Sequence, residues 1–163
     1  MVYYGIVHSI RARVCACLGS GGGFVPRVIR QAQLDMGIER SVTYLVDANM
    51  GGWGRPDWLD PDSFFRTNWD VVWLNKTTIE AAKDWTACSL DYVHIDADHS
   101  RALEDFQLYA PLVKVGGVVT LHDTNTGGGC NAKKAIEFIR DTPNWDVIDF
   151  NIGVGIGLAY RRD

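Results

Sequence analysis

The sequence has no apolar run that approaches the roughly 20 residues of a membrane-spanning helix. It also has no excess of basic residues, since 16 Lys and Arg stand against 20 Asp and Glu, for a formal net charge of −4. Binding to nucleic-acid phosphates needs a basic stripe, so this composition argues against a nucleic-acid partner. The first residues, MVYYGIVHSIRAR, carry their positive charges after their apolar residues, the reverse of a secretory signal peptide. These absences predict a cytoplasmic protein that binds neither nucleic acid nor membrane.

Cysteine is scarce as well, with four residues in a chain of 163. The four are scattered, and the closest two form C-x-C, which lacks the paired spacing of a zinc site. Free cysteine behaves as a small apolar residue, so we predict reduced thiols in the core or in loops. These residues are Cys15, Cys17, Cys88 and Cys130.

What the sequence does contain is a regular alternation of short apolar runs and amphipathic segments. Its length and its 47% hydrophobic content suffice for one sizeable core, which predicts a single domain over residues 1–163. The apolar runs are nearly continuous in Val, Ile and Leu, which is typical of parallel strands covered by helices on both faces. The predicted strands are RVCACLG, SVTYLVD, DVVWLN, DYVHIDAD and GGVVTLHD. The predicted helices are FVPRVIRQAQLDMG, TTIEAAKDW, SRALEDFQLYAPLV and NAKKAIEFIRD.

The C-terminal segment, DTPNWDVIDF followed by NIGVGIGLAYRRD, holds two further strand-like stretches with no helix between them. Strands joined without a crossover helix form a hairpin. The fold class is therefore α/β, with a mostly parallel sheet, helices on both faces and an antiparallel last strand.

The first predicted strand ends in the glycine-rich segment LGSGGGF. Gly19, Gly21 and Gly23 form G-x-G-x-G at the start of a predicted helix, where bare backbone lets a ligand approach the amide N–H groups. A dinucleotide fingerprint would place its third small residue at position 24, which is Phe24 here. These residues alone leave two interpretations open, a ligand-binding loop and an ordinary turn from strand to helix.

An acidic residue, Asp47, ends the second predicted strand in YLVDAN. A carboxylate at that point can accept hydrogen bonds from both hydroxyls of a ribose, so a ribose-bearing ligand is indicated. In these features the sequence resembles the class I S-adenosylmethionine-dependent methyltransferases, although Cys17 stands where that family has an acidic residue. The resemblance implies S-adenosylmethionine as the cofactor, bound by Gly19, Ser20, Gly21, Gly23, Asp47, Ala48, Thr77, Thr78 and Asp96.

The most specific segment is VHIDADHSRALEDFQLYAPLVKVGGVVTLHDT. Through its D-x-D-H-S motif and its late H-D motif it resembles a methyltransferase subgroup that contains many small-molecule O-methyltransferases. The resemblance implies a Rossmann-like, doubly wound sheet of seven strands, mostly parallel with an antiparallel last strand. It also implies a small-molecule acceptor that is methylated at oxygen.

Methyl transfer from a sulfonium is an in-line displacement that needs alignment and deprotonation of the acceptor. The resemblance places Asp96 at the methyl end of the cofactor. His99 and His122, which flank predicted strand ends, are the candidate catalytic bases, because a neutral imidazole can take a proton near pH 7, and one of them is expected near the acceptor. His94, inside a strand, is interpreted as structural. The resemblance also brings Asp96 and Asp123 to adjacent strand ends, where carboxylate oxygens suit a divalent metal such as magnesium. A site without metal is the alternative.

Three function classes stay open: a small-molecule methyltransferase, a cofactor-binding domain without catalysis, and an NAD-dependent oxidoreductase. The few residues before Arg13 predict no substantial N-terminal cap. The site would then be completed by a homo-oligomer or by the segment GGWGRPDWLDPDSFF, which otherwise is a packed surface loop. The aromatic residues of that segment are Trp53, Trp58, Phe64 and Phe65.

Overall fold

The computed structural model describes residues 2–19, 23–48, 70–127 and 130–163. Its strands are β1 Val14–Leu18, β2 Val42–Val46, β3 Val72–Leu74, β4 Leu90–Ile95, β5 Val113–His122, β6 Trp145–Phe150 and β7 Ile156–Arg161. Its α-helices are α1 Val2–Ser9, α2 Phe24–Asp35, α3 Thr78–Ala82, α4 Ala102–Tyr109 and α5 Ala132–Arg140. The 3₁₀ turns His99–Arg101 and Ala110–Leu112 flank α4. Within the described ranges, no helix combines the length and the apolar character that crossing a bilayer requires.

The strands form one seven-stranded sheet in the order β3-β2-β1-β4-β5-β7-β6. The pairs from β3 across to β5 are parallel, and β7 runs antiparallel to both β5 and β6. The sheet grows outward from β1 in one direction through β2 and β3, and in the other through β4 and β5, so the strand order reverses between β1 and β4. Ligands of such sheets bind beyond the carboxyl ends of the strands at this reversal. The predicted α/β sheet with an antiparallel last strand is confirmed.

Helices cover both faces of the sheet, as alternate residues of β1 show. Cys15 and Cys17 lie in the core that the sheet forms with α1 and α2. Ala16 and Leu18 lie in the core on the opposite face, with α3, α4 and α5. Successive side chains of a strand point to opposite faces, so a strand between two cores has to be apolar throughout. This confirms the doubly wound arrangement.

Helix α1, at residues 2–9, was not predicted from the sequence. It packs against α2, where the Tyr4 hydroxyl donates to Asp35 Oδ2 at 2.8 Å. Tyr3 and Val7 on its inner side are buried. Glycine, tyrosine and valine have low helix propensity, so tertiary packing stabilises this helix more than its local sequence does.

Strand β5 begins at Val113, three residues before the predicted start at Gly116. Its register with β4 shifts from Leu90 opposite Val113 to Tyr92 opposite Val118, which marks a bulge. Gly116 lies in this bulge with a φ of 80°, a conformation that glycine adopts without steric cost. The apolar residues on either side of the bulge therefore belong to one strand.

Candidate active site

The register of the parallel strands aligns their carboxyl ends. Leu18 pairs with Val46 on one side and with Ile95 on the other, and Ile95 pairs with Leu121. The residues that follow these four consequently lie side by side along one edge of the sheet, at the reversal of strand order. They are Gly19, Asp47, Asp96 and His122.

Gly19 makes the closest approach between the first and fourth strand ends. Its φ is 86°, and a Cβ built on it would lie 2.2 Å from the carbonyl oxygen of Asp96. Its N–H donates to the carbonyl of Val46 at 2.9 Å, and the N–H of Asp96 donates to that of Leu18 at 2.9 Å. Any side chain at position 19 would push the two strand ends apart, so the glycine is required by the structure itself.

The other glycines of the loop fall into two groups. Gly23 is buried, has a φ of 75° and occupies the N-cap position of α2. Ser20 and Gly21, which were predicted to bind the cofactor, lie outside the described residues. The segment with Trp53, Trp58, Phe64 and Phe65 also lies outside them.

Cys17 occupies the position where the resembling family has an acidic residue. Its side chain is fully buried, and its thiol donates to the carbonyl of Gly19 at 3.4 Å. Burial, with a smaller contribution from the negative charges of Asp96 and Asp47, raises the pKa of the Cys17 thiol well above its ordinary value. This thiol is therefore neutral and cannot replace a carboxylate as a charged acceptor.

Asp47 is held at the edge through its backbone. Its N–H donates to the carbonyl of Leu74 at 3.1 Å, and its carbonyl accepts from the indole N–H of Trp73 at 3.0 Å. Asp47 and the following Ala48 are both half-buried. The carboxylate consequently stands on a fixed backbone beside the first strand end.

Thr77 and Thr78 lie at the start of α3, and several of their polar groups serve the protein itself. Thr77 forms a capping box with Glu80, in which the Thr77 N–H donates to Glu80 Oε2 at 3.0 Å. The Thr78 carbonyl accepts from the Tyr109 hydroxyl at 2.9 Å. Their contact with a cofactor stays a prediction.

Two carboxylates and two imidazoles meet at the ends of β4 and β5, and we call them the acid–histidine cluster: Asp96, His99, His122 and Asp123. His122 Nδ1 lies 3.3 Å from Asp96 Oδ1 and 3.4 Å from Asp123 Oδ1. Burial alone would raise the pKa of Asp96, but the neighbouring imidazoles of His122 and His94 outweigh it and hold that pKa well below its ordinary value. The hydrogen bond to Asp96 in turn raises the pKa of His122 above its ordinary 6.5, against the effect of burial.

His99 differs from His122 because both of its ring nitrogens face carboxylates. Nε2 lies 3.1 Å from Asp96 Oδ1, and Nδ1 lies 3.2 Å from Asp123 Oδ2. A neutral imidazole has one N–H, so only the doubly protonated ring can donate to both carboxylates. His99 therefore bridges the two acids.

The remaining residues of the D-x-D-H-S motif hold the turn that carries His99. Asp98 Oδ1 accepts from the Ser100 N–H at 3.0 Å and from the Ser100 hydroxyl at 2.6 Å. The N–H of Asn131 donates to the His99 carbonyl at 2.8 Å. Asp98 thus orients its neighbour and does not enter the acid–histidine cluster.

Asp123 has a left-handed backbone with a φ of 61°, which aspartate tolerates better than most residues. Its carbonyl accepts from the Thr126 hydroxyl at 2.7 Å and from the Thr126 N–H at 3.2 Å. The next residue, Thr124, is buried and donates to Asp149 Oδ1 at 2.8 Å. Thr124 therefore turns away from the cluster while Asp123 faces it.

The described residues include one group that could hold a metal ion, Asp96, His99 and Asp123, with one ligand atom from each lying within 4.8 Å of the others. The sequence pointed to the two carboxylates but not to the imidazole between them. Two oxygens and one imidazole nitrogen suit manganese, iron or zinc better than magnesium, which prefers oxygen ligands.

Two further residues lie beside the cluster: His94, which the sequence predicted to be structural, and Tyr3, which the sequence did not indicate. His94 is fully buried in β4, and its Nε2 lies 3.8 Å from Asp96 Oδ2. The ring of Tyr3, on α1, packs edge-on against His94 with centroids 4.8 Å apart. Burial, and then the charge of Asp96, raises the pKa of Tyr3 above its ordinary value.

Comparison with known proteins gives one sequence family. Residues 17–124, more than half of the chain, match the family described as methyltransferase domain. No curated protein matches the sequence.

Solved structures share the fold at low sequence identity. An O-methyltransferase from Bacillus cereus in complex with SAH is 14% identical, with a TM-score of 0.77 over 99% of this chain and 79% of that chain. The O-methyltransferase TomG from Streptomyces achromogenes, in complex with SAM, is 14% identical, with a TM-score of 0.71 over 99% and 78%. An SAH-bound methyltransferase from Podospora anserina is 10% identical, with a TM-score of 0.76 over 99% and 77%.

Proposed function

The chain belongs to the methyltransferase-domain family, and from this premise we propose that it transfers a methyl group from S-adenosylmethionine (SAM) to an oxygen of a small-molecule acceptor. One observation carries the proposal: Gly19, Asp47 and the acid–histidine cluster lie along one edge of the sheet, where its strand order reverses. The choice of cofactor and of oxygen is supported by the shared fold with O-methyltransferases solved with SAH and SAM.

The first strand ends form the cofactor side of this site. Gly19 brings the end of β1 against Asp96, and Gly23 is the N-cap of α2, where N–H groups of the first turn would be donors to a ligand. Asp47 follows the neighbouring strand β2, and its carboxylate would accept hydrogen bonds from the ribose hydroxyls. The bound cofactor supplies the methyl group as a sulfonium, and the protein orients it.

His122 is the residue best placed to remove a proton from the acceptor. Asp96 and Asp123 both lie near its Nδ1 and favour a hydrogen on that nitrogen. The second nitrogen, Nε2, then carries the lone pair that accepts the proton, as in other carboxylate–histidine pairs. The raised pKa of His122 makes the ring a stronger base than free histidine.

His99 has a different role in this proposal. Since both of its nitrogens face carboxylates, it has no nitrogen left for the acceptor. Its two contacts would instead hold the carboxylates of Asp96 and Asp123 side by side. His99 would therefore hold the cluster together while His122 takes the proton.

A divalent metal is the alternative to this bridging imidazole. Asp96 and Asp123 would hold the ion, with His99 as a third ligand in its neutral form, and the ion would bind the acceptor oxygen. Titration with manganese and magnesium by calorimetry separates the two arrangements. Heat of binding that disappears in His99→Ala supports the metal, and no heat with either ion supports the bridging imidazole.

Membership of a methyltransferase family argues against an NAD-dependent oxidoreductase, a function that the sequence alone had left open. A cofactor-binding domain without catalysis would bind SAM but would transfer no methyl group to any acceptor. The cytoplasmic location, the lack of a nucleic-acid or membrane partner, and homo-oligomerisation all stay predictions.

The proposal is tested by calorimetric binding of SAM, its product S-adenosylhomocysteine (SAH), and NAD. We expect SAM and SAH to bind and NAD not to bind. Replacing Asp47 by Ala should weaken SAH binding by about 1–3 kcal/mol, or roughly 5- to 150-fold, because hydrogen bonds to a charged group are lost. Asp47→Asn keeps one acceptor oxygen, so its affinity for SAH should lie between those of the wild type and Asp47→Ala.

Glu137→Ala is the matched control, because it changes the net charge equally on an exposed face of α5. It should leave SAH affinity unchanged. A folded Asp47→Ala protein that binds SAH as tightly as the wild type would remove Asp47 from the site, and a wild type that binds NAD in place of SAH would refute the proposed function.

A further inference from the structure

Two polar residues lie opposite each other on adjacent strands, His94 on β4 and Thr120 on β5. They are direct partners in the strand register, and both are fully buried. His94 Nδ1 lies 2.9 Å from the Thr120 hydroxyl oxygen, which lies 2.6 Å from the Tyr92 hydroxyl. Tyr92 is itself fully buried. The three side chains thus form a hydrogen-bonded chain inside the sheet.

The direction of this chain follows from the number of protons available. If Tyr92 donates to Thr120, the Thr120 hydroxyl can donate its own proton to His94 Nδ1, and each hydroxyl proton is used once. His94 then carries its hydrogen on Nε2. In the opposite direction, a bare Nε2 lone pair would face the Asp96 carboxylate, which is electrostatically unfavourable in a buried site.

Nε2 of His94 is the end of the chain that points to the acid–histidine cluster. It lies 3.8 Å from Asp96 Oδ2, and it has no hydrogen-bond partner in the part of the chain that the structure describes. Asp96 Oδ1 faces His99 and His122, so Oδ2 is the oxygen that remains for His94. Tyr3 covers the ring of His94 from α1.

We propose that His94 is a positioning residue, whose Nε2–H is set by the Tyr92–Thr120 hydroxyls and holds Asp96 Oδ2 so that Oδ1 stays on His99 and His122. The inference rests on the proposed function in placing Asp96 beside the cofactor. The proposal gives His94 a role in the site, whereas its position inside a strand had indicated only a structural role. A small closure of the 3.8 Å distance, or one bridging water, completes the hydrogen bond.

The first test is made on the wild-type protein, by nitrogen-15 NMR of its histidine imidazoles, with His94 assigned through His94→Phe. We expect His94 to carry hydrogen on Nε2. A ring with a bare Nε2 and hydrogen on Nδ1 overturns the proposal, because it has no donor for Asp96.

The second test separates the hydroxyl from simple packing at position 120. Thr120→Val keeps the shape of the side chain and removes the hydroxyl, whereas Thr120→Ser keeps the hydroxyl and removes a methyl group. If the hydroxyl chain holds Asp96, Thr120→Val should weaken calorimetric SAH binding by about two- to tenfold, the effect of one hydrogen bond, while Thr120→Ser binds as the wild type does. Equal affinity of the two variants, or weaker binding by Thr120→Ser, overturns the proposal.

The two measurements also distinguish this proposal from the proposed function. A wild type that does not bind SAH refutes the function, and the imidazole spectrum still decides whether a donor on His94 faces Asp96. A wild type that binds SAH, with a bare Nε2 on His94, leaves the function in place and refutes the positioning role.

Discussion

Asp105 gives the sharpest prediction about stability, because it is a carboxylic acid buried in α4. It is 3% exposed. Burial raises its pKa from the ordinary 3.8 to about 6, although a hydrogen bond with Thr78 opposes the shift. The difference of about 2.2 corresponds to about 3 kcal/mol, at about 1.36 kcal/mol for each tenfold change in proton affinity.

The sign of the effect follows from the direction of that pKa. A folded-state pKa above the unfolded one means that the folded protein holds the proton more tightly. The resulting stabilisation is fully present below pH 3.8 and is lost as the pH rises through about 6. At neutral pH the ionised Asp105 therefore destabilises the folded protein, and removing its charge should raise the free energy of unfolding.

The perturbation is Asp105→Asn, which keeps the size of the side chain and cannot ionise. We expect urea unfolding to show a gain of about 3 kcal/mol at pH 7.5 and of only about 1 kcal/mol at pH 4.5, where the wild-type carboxyl is protonated in the fold. Glu104→Gln is the matched control, because Glu104 is exposed on the same helix and pairs with Arg101. It should change stability by well under 1 kcal/mol at either pH. An Asp105→Asn protein no more stable than the wild type at pH 7.5, or equally stabilised at both pH values, would refute this reasoning.

Two further outcomes are expected from the site. His122 should titrate by NMR with a midpoint above its ordinary 6.5, because its hydrogen bond to Asp96 favours the protonated ring. Asp96→Asn should lower that midpoint. A wild-type midpoint at or below 6.5 would contradict the interaction between His122 and Asp96. Gly19→Ala should lower the free energy of unfolding in urea by more than about 1 kcal/mol, because its Cβ would collide with the Asp96 carbonyl. Gly37→Ala is the control, since Gly37 has a φ of 59° in open space, and it should lower that free energy by about 1 kcal/mol. Equal losses in the two variants would show that the approach at Gly19 is not tight.

Much of the fold could be predicted because each parallel strand is apolar on both faces. β1 has Cys15 and Cys17 on one face and Ala16 and Leu18 on the other, and two helical layers bury all four. Such a strand has no polar face, so its pattern specifies a doubly covered sheet. The residue after each strand is then placed at the same edge of the sheet by topology alone, which is why the position of Gly19 at that edge could be predicted without coordinates.

The internal geometry of the acid–histidine cluster could not be predicted in the same way. The sequence places Asp96 and Asp123 after adjacent strands, but it does not show that Asp98 turns to Ser100 or that His99 lies between the two acids. Those contacts depend on a 3₁₀ turn and on a left-handed Asp123, which are local backbone conformations. The separate roles proposed for His99 and His122 follow from which ring nitrogens are engaged, and this is visible only in the structure.

The pairing of His94 with Thr120 could not be predicted from the sequence. Each is a polar residue within an otherwise apolar strand, in YVHI and VVTL, and a buried polar residue needs a hydrogen-bond partner. The identity of the partner depends on the register, and the bulge at Gly116 sets the register. Before the bulge Leu90 lies opposite Val113, and continuing that alignment would put Gly117 opposite His94; after the bulge Tyr92 lies opposite Val118, and His94 meets Thr120. The bulge in β5, more than 20 residues from His94 along the chain, therefore places the Thr120 hydroxyl beside the imidazole.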